Sequence, residues 1–471
     1  REDKLALSYS LPSETPAPLG IGRSETDVES FGHTLTADWQ LESIGGVSNL
    51  AIKSITGYRE VDDNEPTDFD GTPIRWADFD IYQTLETFQQ EFQFTGSMAD
   101  ERVHFVSGIF YYTEEADAVL PGVFGFGTVR NTPSFETDNE AFALYGQVDW
   151  TPQILDDRLT ITAGARYNQE TKRLLNATTV VDQPVGAGNG LVLTYVDSVS
   201  EDYDNVSPTF TVAYNLAEDI STYLRWSKGY KSGGFNGLGA TAVEARTLFD
   251  PEFAWNYEVG AKSTLAGGRV QATLSLFRLD FEDLQLRDRK LTIPGDESSA
   301  IVNIINAAQA RIQGAELEFI VAPTRNFRLS GHLALLDSEV TEVVPGSTTI
   351  VGLDLPRSPK STYGVSANYG SPLGESGRLD LRADWRRTGK QYYDINEPPA
   401  SQEAAYDLVD LRIGFTPRSG AWGVAAWCKN ALDEEYRSHT QQILAGRAAI
   451  TQVGDPRQCG LSANLNFGEA R

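Results

Sequence analysis

The run WSKGYKSGGFNG, at residues 226–237, is the first part of the sequence whose residue types could do chemistry. Its two lysines and four glycines follow a stretch, STYLR, that alternates like a β-strand. A phosphate-binding P-loop needs Gly, four residues, and then Gly-Lys-Ser/Thr opening a helix. Here Lys-Ser precedes the paired glycines and no helical pattern follows, so the run is not a P-loop. A strand that ends in a flexible turn fits it better.

Catalytic and metal-binding patterns are sparse elsewhere. The histidines are scattered, at His33, His104, His332 and His439, and the sequence has no His-Glu helix motif and no nucleophile elbow. The acidic run VDDNEPTDFDGTPIRWADFD, at residues 61–80, offers oxygen ligands for calcium but lacks the spacing of an EF-hand, and a solvated loop is the better interpretation. We therefore predict a protein that is not an enzyme and has no cofactor and no metal site.

Charge and hydropathy narrow the class of protein. The 471 residues include 66 acidic and 39 basic side chains, for a formal net charge of −27. A nucleic-acid partner would need a basic surface, so we exclude one. No run approaches the roughly 18 consecutive apolar residues of a transmembrane helix. A transmembrane β-barrel stays open, because its strands are short and only half apolar.

Period-two alternation is the dominant pattern along the whole chain, and it predicts strands. The eighteen predicted strands are Lys4–Ser10, Gly32–Leu41, Asn49–Glu60, Thr84–Gly96, Val103–Thr113, Ala141–Trp150, Leu159–Glu170, Val206–Leu216, Thr222–Lys231, Trp255–Leu265, Val270–Leu284, Arg311–Ala322, Phe327–Val340, Tyr363–Gly370, Arg378–Thr388, Tyr406–Pro417, Trp422–Asn430 and Gln458–Phe467. Their connections alternate between short and long. We therefore predict an all-β, up-and-down antiparallel transmembrane barrel with short periplasmic turns and long extracellular loops.

The facing pattern indicates which side meets lipid. In the last predicted strand, Leu461, Ala463 and Leu465 share one face, and Ser462 and Asn464 share the other. A closed sheet of this many strands has an interior too wide for side chains to fill, so the apolar face must look outward to lipid. The alternate positions then face the lumen. Charged candidates there for contact with a ligand or a plug are Arg225, Lys231, Arg382, Asp384, Arg386, Asp410 and Arg412.

The competing interpretation for most of these charges is that they form salt bridges between neighbouring strands and only stabilise the barrel wall.

The two cysteines, Cys428 and Cys459, fall on adjacent predicted strands that flank the last long loop, with the same facing as their apolar neighbours. A cross-strand disulfide would form between them in an oxidising compartment if the register matches.

Several runs resemble the barrel of TonB-dependent outer-membrane receptors. Beside STYLRWSKGYKSGGFNG they are SITGYRE (54–60), PEFAWNYEVGAKS (251–263), NAAQARIQGAELE (306–318), KNALDEEY (429–436) and GDPRQCGLSANLNF (454–467). They follow the family's order across nearly the whole chain. Phe467 resembles the terminal aromatic of the family's assembly signal, although GEAR follows it here.

The resemblance implies a 22-stranded barrel in the outer membrane, an internal plug, and import of a scarce bulky ligand, such as a ferric siderophore, energised by the TonB complex. Residues 1–471 are predicted to be the barrel domain alone, N-terminally incomplete and without a plug. A plugless passive diffusion porin is the alternative, and the ligand's identity stays open.

The resemblance also gives the opening run a place at the base of a loop. Arg225 and Lys231 have lumen-facing parity, and Gly233 and Gly234 would let the backbone bend inward. Lys231 would then meet an anionic ligand or an acidic plug surface. Phe235 and Asn236 complete this set of ligand- or plug-facing candidates.

Overall fold

A computed structural model describes residues 26–466, except 42, 69–76, 125–128, 183–190, 197, 237–245, 292–299, 345–348 and 444–447. The described helical structure is two single turns of 3-10 helix, Leu155–Asp157 and Pro399–Ser401. No helix in the described part of the chain is long and apolar enough to cross a membrane.

The strands, in chain order, are β1 (Asp27–Gln40), β2 (Ser48–Asp68), β3 (Ala77–Met98), β4 (Val103–Val119), β5 (Gly122–Phe124), β6 (Val129–Trp150), β7 (Leu159–Asp182), β8 (Leu191–Val196), β9 (Val199–Ala217), β10 (Ile220–Lys231), β11 (Gly234–Phe235), β12 (Leu248–Phe249), β13 (Glu252–Leu265), β14 (Val270–Leu291), β15 (Ala300–Thr324), β16 (Phe327–Val343), β17 (Ser361–Pro372), β18 (Gly377–Thr388), β19 (Gln391–Tyr392), β20 (Gln402–Glu403), β21 (Tyr406–Pro417), β22 (Trp422–Lys429), β23 (Arg437–Ile443), β24 (Ala448–Val453) and β25 (Gln458–Leu465).

One antiparallel sheet of nineteen strands dominates the described structure. Two of them, β5 and β8, are short additions beside longer neighbours. The other seventeen pair in chain order from β1 to β25, each with the next. The predicted all-β, up-and-down architecture is confirmed. The first predicted strand, Lys4–Ser10, lies outside the described residues.

The short turns lie at one end of the strands of the large sheet and the long connections lie at the other end, as the sequence predicts. The β13–β14 turn at residues 266–269 is typical of the short end, where Gly267 and Gly268 take φ of +64° and +85°. Such left-handed backbone favours glycine, which has no Cβ to clash. The long connections contain three two-stranded hairpins of their own, β11–β12, β19–β20 and β23–β24.

The two faces of the sheet differ in polarity, as the alternation requires. On β14, Leu274 and Leu276 are 45% and 49% exposed on the outer face. On the other face, Ser275 lies directly opposite Glu316 of β15. An exposed apolar face on a sheet of this size is suited to lipid, and the polar face to the lumen.

Ion pairs interrupt the outer face towards its extracellular end. Arg278 is the next outward-facing residue of β14 after Leu276, and it pairs with Asp280 at 2.8 Å. Arg311 of β15 reaches the same carboxylate at 3.1 Å. Arg173 pairs with Asp138 at 3.0 Å on β7 and β6. A further outward pair joins Arg387 of β18 to Asp407 of β21. Charges are costly in hydrocarbon, so these pairs, the outer ionic belt, mark where the apolar band ends.

On the lumen face, aromatic rings lie flat across glycines of neighbouring strands. A Cβ placed on Gly260 would lie 2.5 Å from the Tyr223 ring, and one on Gly108 would collide with Tyr145. Each tyrosine hydroxyl donates to a glutamate, Tyr145 to Glu91 of β3 at 2.6 Å and Tyr223 to Glu258 of β13. The missing side chain makes room for the ring, which covers backbone that would otherwise be exposed.

Candidate functional site

The charged candidates of β10 lie on the lumen face, Arg225 in the middle of the strand and Lys231 at its extracellular end. Arg225 is exposed and lies directly opposite Glu258 of β13. Lys231 is also exposed, at the last position of the strand, opposite Glu252. Both cations therefore stand next to carboxylates of the wall, which partly offset their charge.

The glycines that follow β10 pack closely against neighbouring aromatic rings. A Cβ on Gly233 would lie 2.5 Å from the ring of Tyr203, and one on Gly234 would lie 2.6 Å from that of Phe249. Neither residue has a φ in the left-handed region, so close approach and not a special turn requires glycine here. Lys172 of β7 donates to the Gly233 carbonyl oxygen at 2.9 Å.

The last two candidates of this run extend the contact to both sides. Phe235 packs against Leu174 and Ala177 of β7, each 1% exposed. Asn236 is 8% exposed and contacts Ile304 of β15 through its amide. The run is thus a folded loop base that lies against β7 on one side and β15 on the other.

The charged candidates of β18 and β21 form a second group, on the wall. Arg382 grips Asp384 with two hydrogen bonds, of 2.7 and 3.0 Å, and Arg386 donates to Asp410 at 3.2 Å. Arg412 lies directly opposite Arg382 and is exposed. Four of the five candidates therefore make wall salt bridges, which was the competing interpretation of the sequence.

A cavity of about 740 Å³ lies along this wall. Its charged lining is Lys262, Glu318, Arg382, Asp384, Arg386 and Asp410, with the imidazole of His332 beside them, and Gly331 and Gly364 contribute no side chains to it. Both positive and negative groups line it, so its surface suits a polar body better than an apolar one.

A third group, which the sequence did not reveal, lies in the long connections. Arg437 of β23 donates to Glu403 of β20 at 2.6 Å, to the Ala400 carbonyl oxygen at 3.1 Å, and to that of Gln402. Glu403 is only 6% exposed. A guanidinium provides several donors in a rigid fork, so one side chain can hold two hairpins together.

The connection between β16 and β17 joins the same assembly. The backbone N–H of Arg357 donates to the Tyr392 carbonyl oxygen at 2.8 Å, and its side chain contacts Nδ1 of His439 at 2.9 Å. Beneath, Ile395 packs with Ala307, Ala308 and Val340 in a small buried cluster. We call this unit, made of the β16–β17, β18–β21 and β22–β25 connections, the three-loop cap.

The cap carries cations and aromatic rings on its exposed side. Arg357 lies over the Tyr393 ring at 6.0 Å, and that ring meets His439 edge-on at 5.8 Å. Lys390 lies over the Tyr392 ring at 4.8 Å and donates to its hydroxyl at 3.1 Å. Burial raises the pKa of Tyr393 to about 12, so its phenol stays a neutral donor at physiological pH. The group can bind anions through charge and hydrogen bonds, and flat ligands through stacking.

We expect the cap to loosen in acid through His439. Burial, and then the charge of Arg357, lower the pKa of this imidazole below its ordinary value of 6.5. Arginine only donates, so Nδ1 must be an unprotonated acceptor in this contact. The stabilisation is therefore complete above pH 6.5 and is lost as the pH falls through the lowered value of the folded state. Hydrogen exchange of β23, corrected for its intrinsic pH dependence, should rise over that window.

The control for this titration is His439→Gln, whose amide does not titrate. It should flatten the exchange profile below pH 6.5, and an unchanged profile would show that other groups control the acid response.

The remaining sequence candidates stand as follows. Cys428 and Cys459 occupy directly opposed positions on β22 and β25 and are joined by a disulfide. Phe467 lies outside the described residues. The described residues contain no cluster of three or more His, Cys, Asp or Glu side chains suited to a metal ion.

Comparison with known proteins decides the family. The family model described as TonB dependent receptor-like, beta-barrel matches residues 4–431. The chain belongs to the TonB-dependent receptor family. The protein is therefore an outer-membrane β-barrel protein.

Curated relatives of this TonB-dependent receptor chain include a pesticin receptor and a metal-pseudopaline receptor. The pesticin receptor of Yersinia pestis is 25% identical over 333 residues, which are 70% of this chain and 44% of the relative. The metal-pseudopaline receptor CntO of Pseudomonas aeruginosa is 28% identical over 266 residues, 55% of this chain and 33% of the relative. The chain thus spans less than half the length of these relatives.

Solved structures agree on the fold. The ferric yersiniabactin uptake receptor FyuA of Yersinia pestis matches with a TM-score of 0.76 at 19% identity, over 94% of this chain and 62% of that one. The siderophore receptor PiuA of Acinetobacter baumannii matches with a TM-score of 0.68 at 15% identity, over 96% and 66%. These likenesses support the barrel architecture of this TonB-dependent receptor chain.

Proposed function

We propose that the protein is the barrel of an outer-membrane receptor that imports a siderophore–iron complex, energised by TonB through a plug domain. The observation that carries this proposal is the exposed side of the three-loop cap, where the cations Arg357 and Lys390 lie beside Tyr392 and Tyr393, and the neutral imidazole of His439 contacts both Arg357 and Tyr393. The chain as a whole has a formal net charge of −27, so the two cations are opposite in sign to the net charge of the protein. Such a surface favours an anionic chelate with flat, oxygen-rich groups.

Similar proteins support the proposal. They include an uptake receptor for ferric yersiniabactin and a receptor for metal-pseudopaline, both of them metal complexes. Transport without catalysis is part of the proposal.

The test is uptake of radiolabelled iron by the bacterium with the gene deleted and with it restored. Iron would be supplied as ferric yersiniabactin, ferric citrate and a ferric catecholate in separate experiments. We expect uptake of at least one complex to require the gene and to stop when an ionophore collapses the proton gradient across the inner membrane. Gene-independent uptake of all three would contradict the proposal for these chelates.

The same experiment separates a passive porin from a receptor. A porin conducts small solutes whether or not the inner membrane is energised, so gene-dependent uptake that survives the ionophore would favour that alternative. A substitution of Arg357 by alanine should weaken binding of a chelate held by the cap, while a porin would be indifferent to it.

A further inference from the structure

Two asparagines fasten the β10–β13 connection to β15 by reciprocal contacts. The Asn236 amide accepts from the Ile304 N–H at 2.7 Å and donates to the Ile304 carbonyl oxygen at 3.0 Å. The Asn306 amide accepts from the Asp250 N–H at 2.6 Å and donates to the Asp250 carbonyl oxygen at 2.8 Å. Each amide thus makes both hydrogen bonds that a neighbouring strand would make with one residue.

Asn236 covers a stretch of the β15 edge that has no neighbouring strand among the described residues. β15 pairs with β14 from Ala300 onwards, but its pairing with β16 begins only at Ala308. Ile304 therefore lies in a part of β15 that has a strand on one side alone within the described residues. An uncovered strand edge leaves backbone groups unpaired, and the Asn236 side chain supplies their partners.

Other contacts hold the two arms of the connection, residues 232–236 and 247–250. Gln285 of β14 donates to the carbonyl oxygens of Ser232 at 2.9 Å and Asp250 at 3.0 Å. β11 and β12 pair the two arms with each other. With Lys172 bonded to Gly233, the arms are held from three strands of the wall, β7, β14 and β15.

We propose that Asn236 and Asn306 are positioning residues of a clasp. The clasp holds the β10–β13 connection in a fixed position against β15 at the extracellular end of the barrel. The clasp gives a structural reason for three of the sequence runs, because SGGFNG supplies Asn236, NAAQAR supplies Asn306, and Asp250 directly precedes PEFAW. These runs lie far apart in sequence and meet at one place. The inference does not depend on which ligand the protein binds.

Trypsin offers a local test, because Arg246 is the only lysine or arginine in residues 232–251 and is exposed. Proteolysis requires local opening of the chain around the cut. In isolated outer membranes, we expect Asn236→Ala and Asn306→Ala each to speed cleavage after Arg246 on the order of tenfold, since each loses three side-chain hydrogen bonds, two of them to the clasped residue. The double variant should be cut faster than either.

Matched variants separate the clasp from general destabilisation. Asn139→Ala removes one hydrogen bond, to Glu114, on another part of the wall and should leave cleavage after Arg246 unchanged. Asn306→Asp keeps the acceptor for the Asp250 N–H but loses the donor, so it should give an intermediate rate. Resistance of the barrel to heating in detergent should match the unaltered protein in every case. Equal cleavage of the unaltered protein and all clasp variants would overturn the proposal.

Discussion

Replacing Arg437 by alanine should open the three-loop cap. The substitution removes the partner of Glu403, which is only 6% exposed, together with the hydrogen bonds to two carbonyl oxygens of the neighbouring connection. Breaking a fully buried ion pair from one side costs about 3–5 kcal/mol, because the remaining charge stays buried without compensation. The Arg437 side chain is 27% exposed, so the cost here should lie below that range. Hydrogen exchange of β20 and β23 should therefore accelerate strongly while the strands of the wall keep their protection.

Two variants sharpen this experiment. Arg437→Lys keeps the charge but not the forked donor geometry, so its effect should fall between those of the unaltered protein and the alanine variant. Arg418→Ala breaks an exposed pair with Glu375 near a short turn and should change little. If the Arg437 and Arg418 variants exchange alike, Arg437 does not hold the cap together.

Leu274→Arg should strongly impair the barrel, whereas Ser275→Arg should not. Leu274 is 45% exposed on the outer face, five residues from the short turn and four from Arg278 of the outer ionic belt. An arginine on the lipid face near mid-membrane costs about 2–4 kcal/mol. Ser275 faces the lumen, directly opposite Glu316, so an arginine there gains a partner.

The measurement for this pair is urea unfolding of the barrel from lipid vesicles, with the yield of assembled protein in the outer membrane as a second observable. Equal losses for the two variants would mean that the faces of β14 are not assigned correctly.

Much of the fold could be predicted because the membrane imposes an alternation of apolar and polar residues along each strand. Within the bilayer one face meets lipid and the other meets the lumen, so β10, β18 and β21 begin and end within two residues of their predicted bounds. Outside the bilayer both faces meet water and alternation is no longer required. This is why β7 continues to Asp182 instead of ending at Glu170, and β15 begins at Ala300 instead of Arg311.

The candidate sites were less predictable, because they depend on contacts between distant parts of the chain. The alternation of residues along the strands predicts that Arg382, Asp384, Arg386 and Asp410 all face the lumen. Only the register of β18 and β21 shows which of these charges pair. His439 is an isolated histidine in the sequence, and its partner Arg357 is 82 residues away. Loop sequences carry no periodic pattern that would reveal such a contact. The sequence predicts a bend at Gly233 and Gly234, whereas close packing against the rings of Tyr203 and Phe249 accounts for the two glycines.

The outer ionic belt also sets how far the receptor reaches from the cell. Arg173 belongs to the belt, and β7 continues for nine further residues to Asp182. Nine residues of strand extend roughly 30 Å, or about 20 Å of height at the usual strand tilt. The extracellular ends of the longest described strands therefore stand well clear of the hydrocarbon layer. A dissolved molecule therefore first contacts the extracellular ends of the strands, about 20 Å above the outer ionic belt.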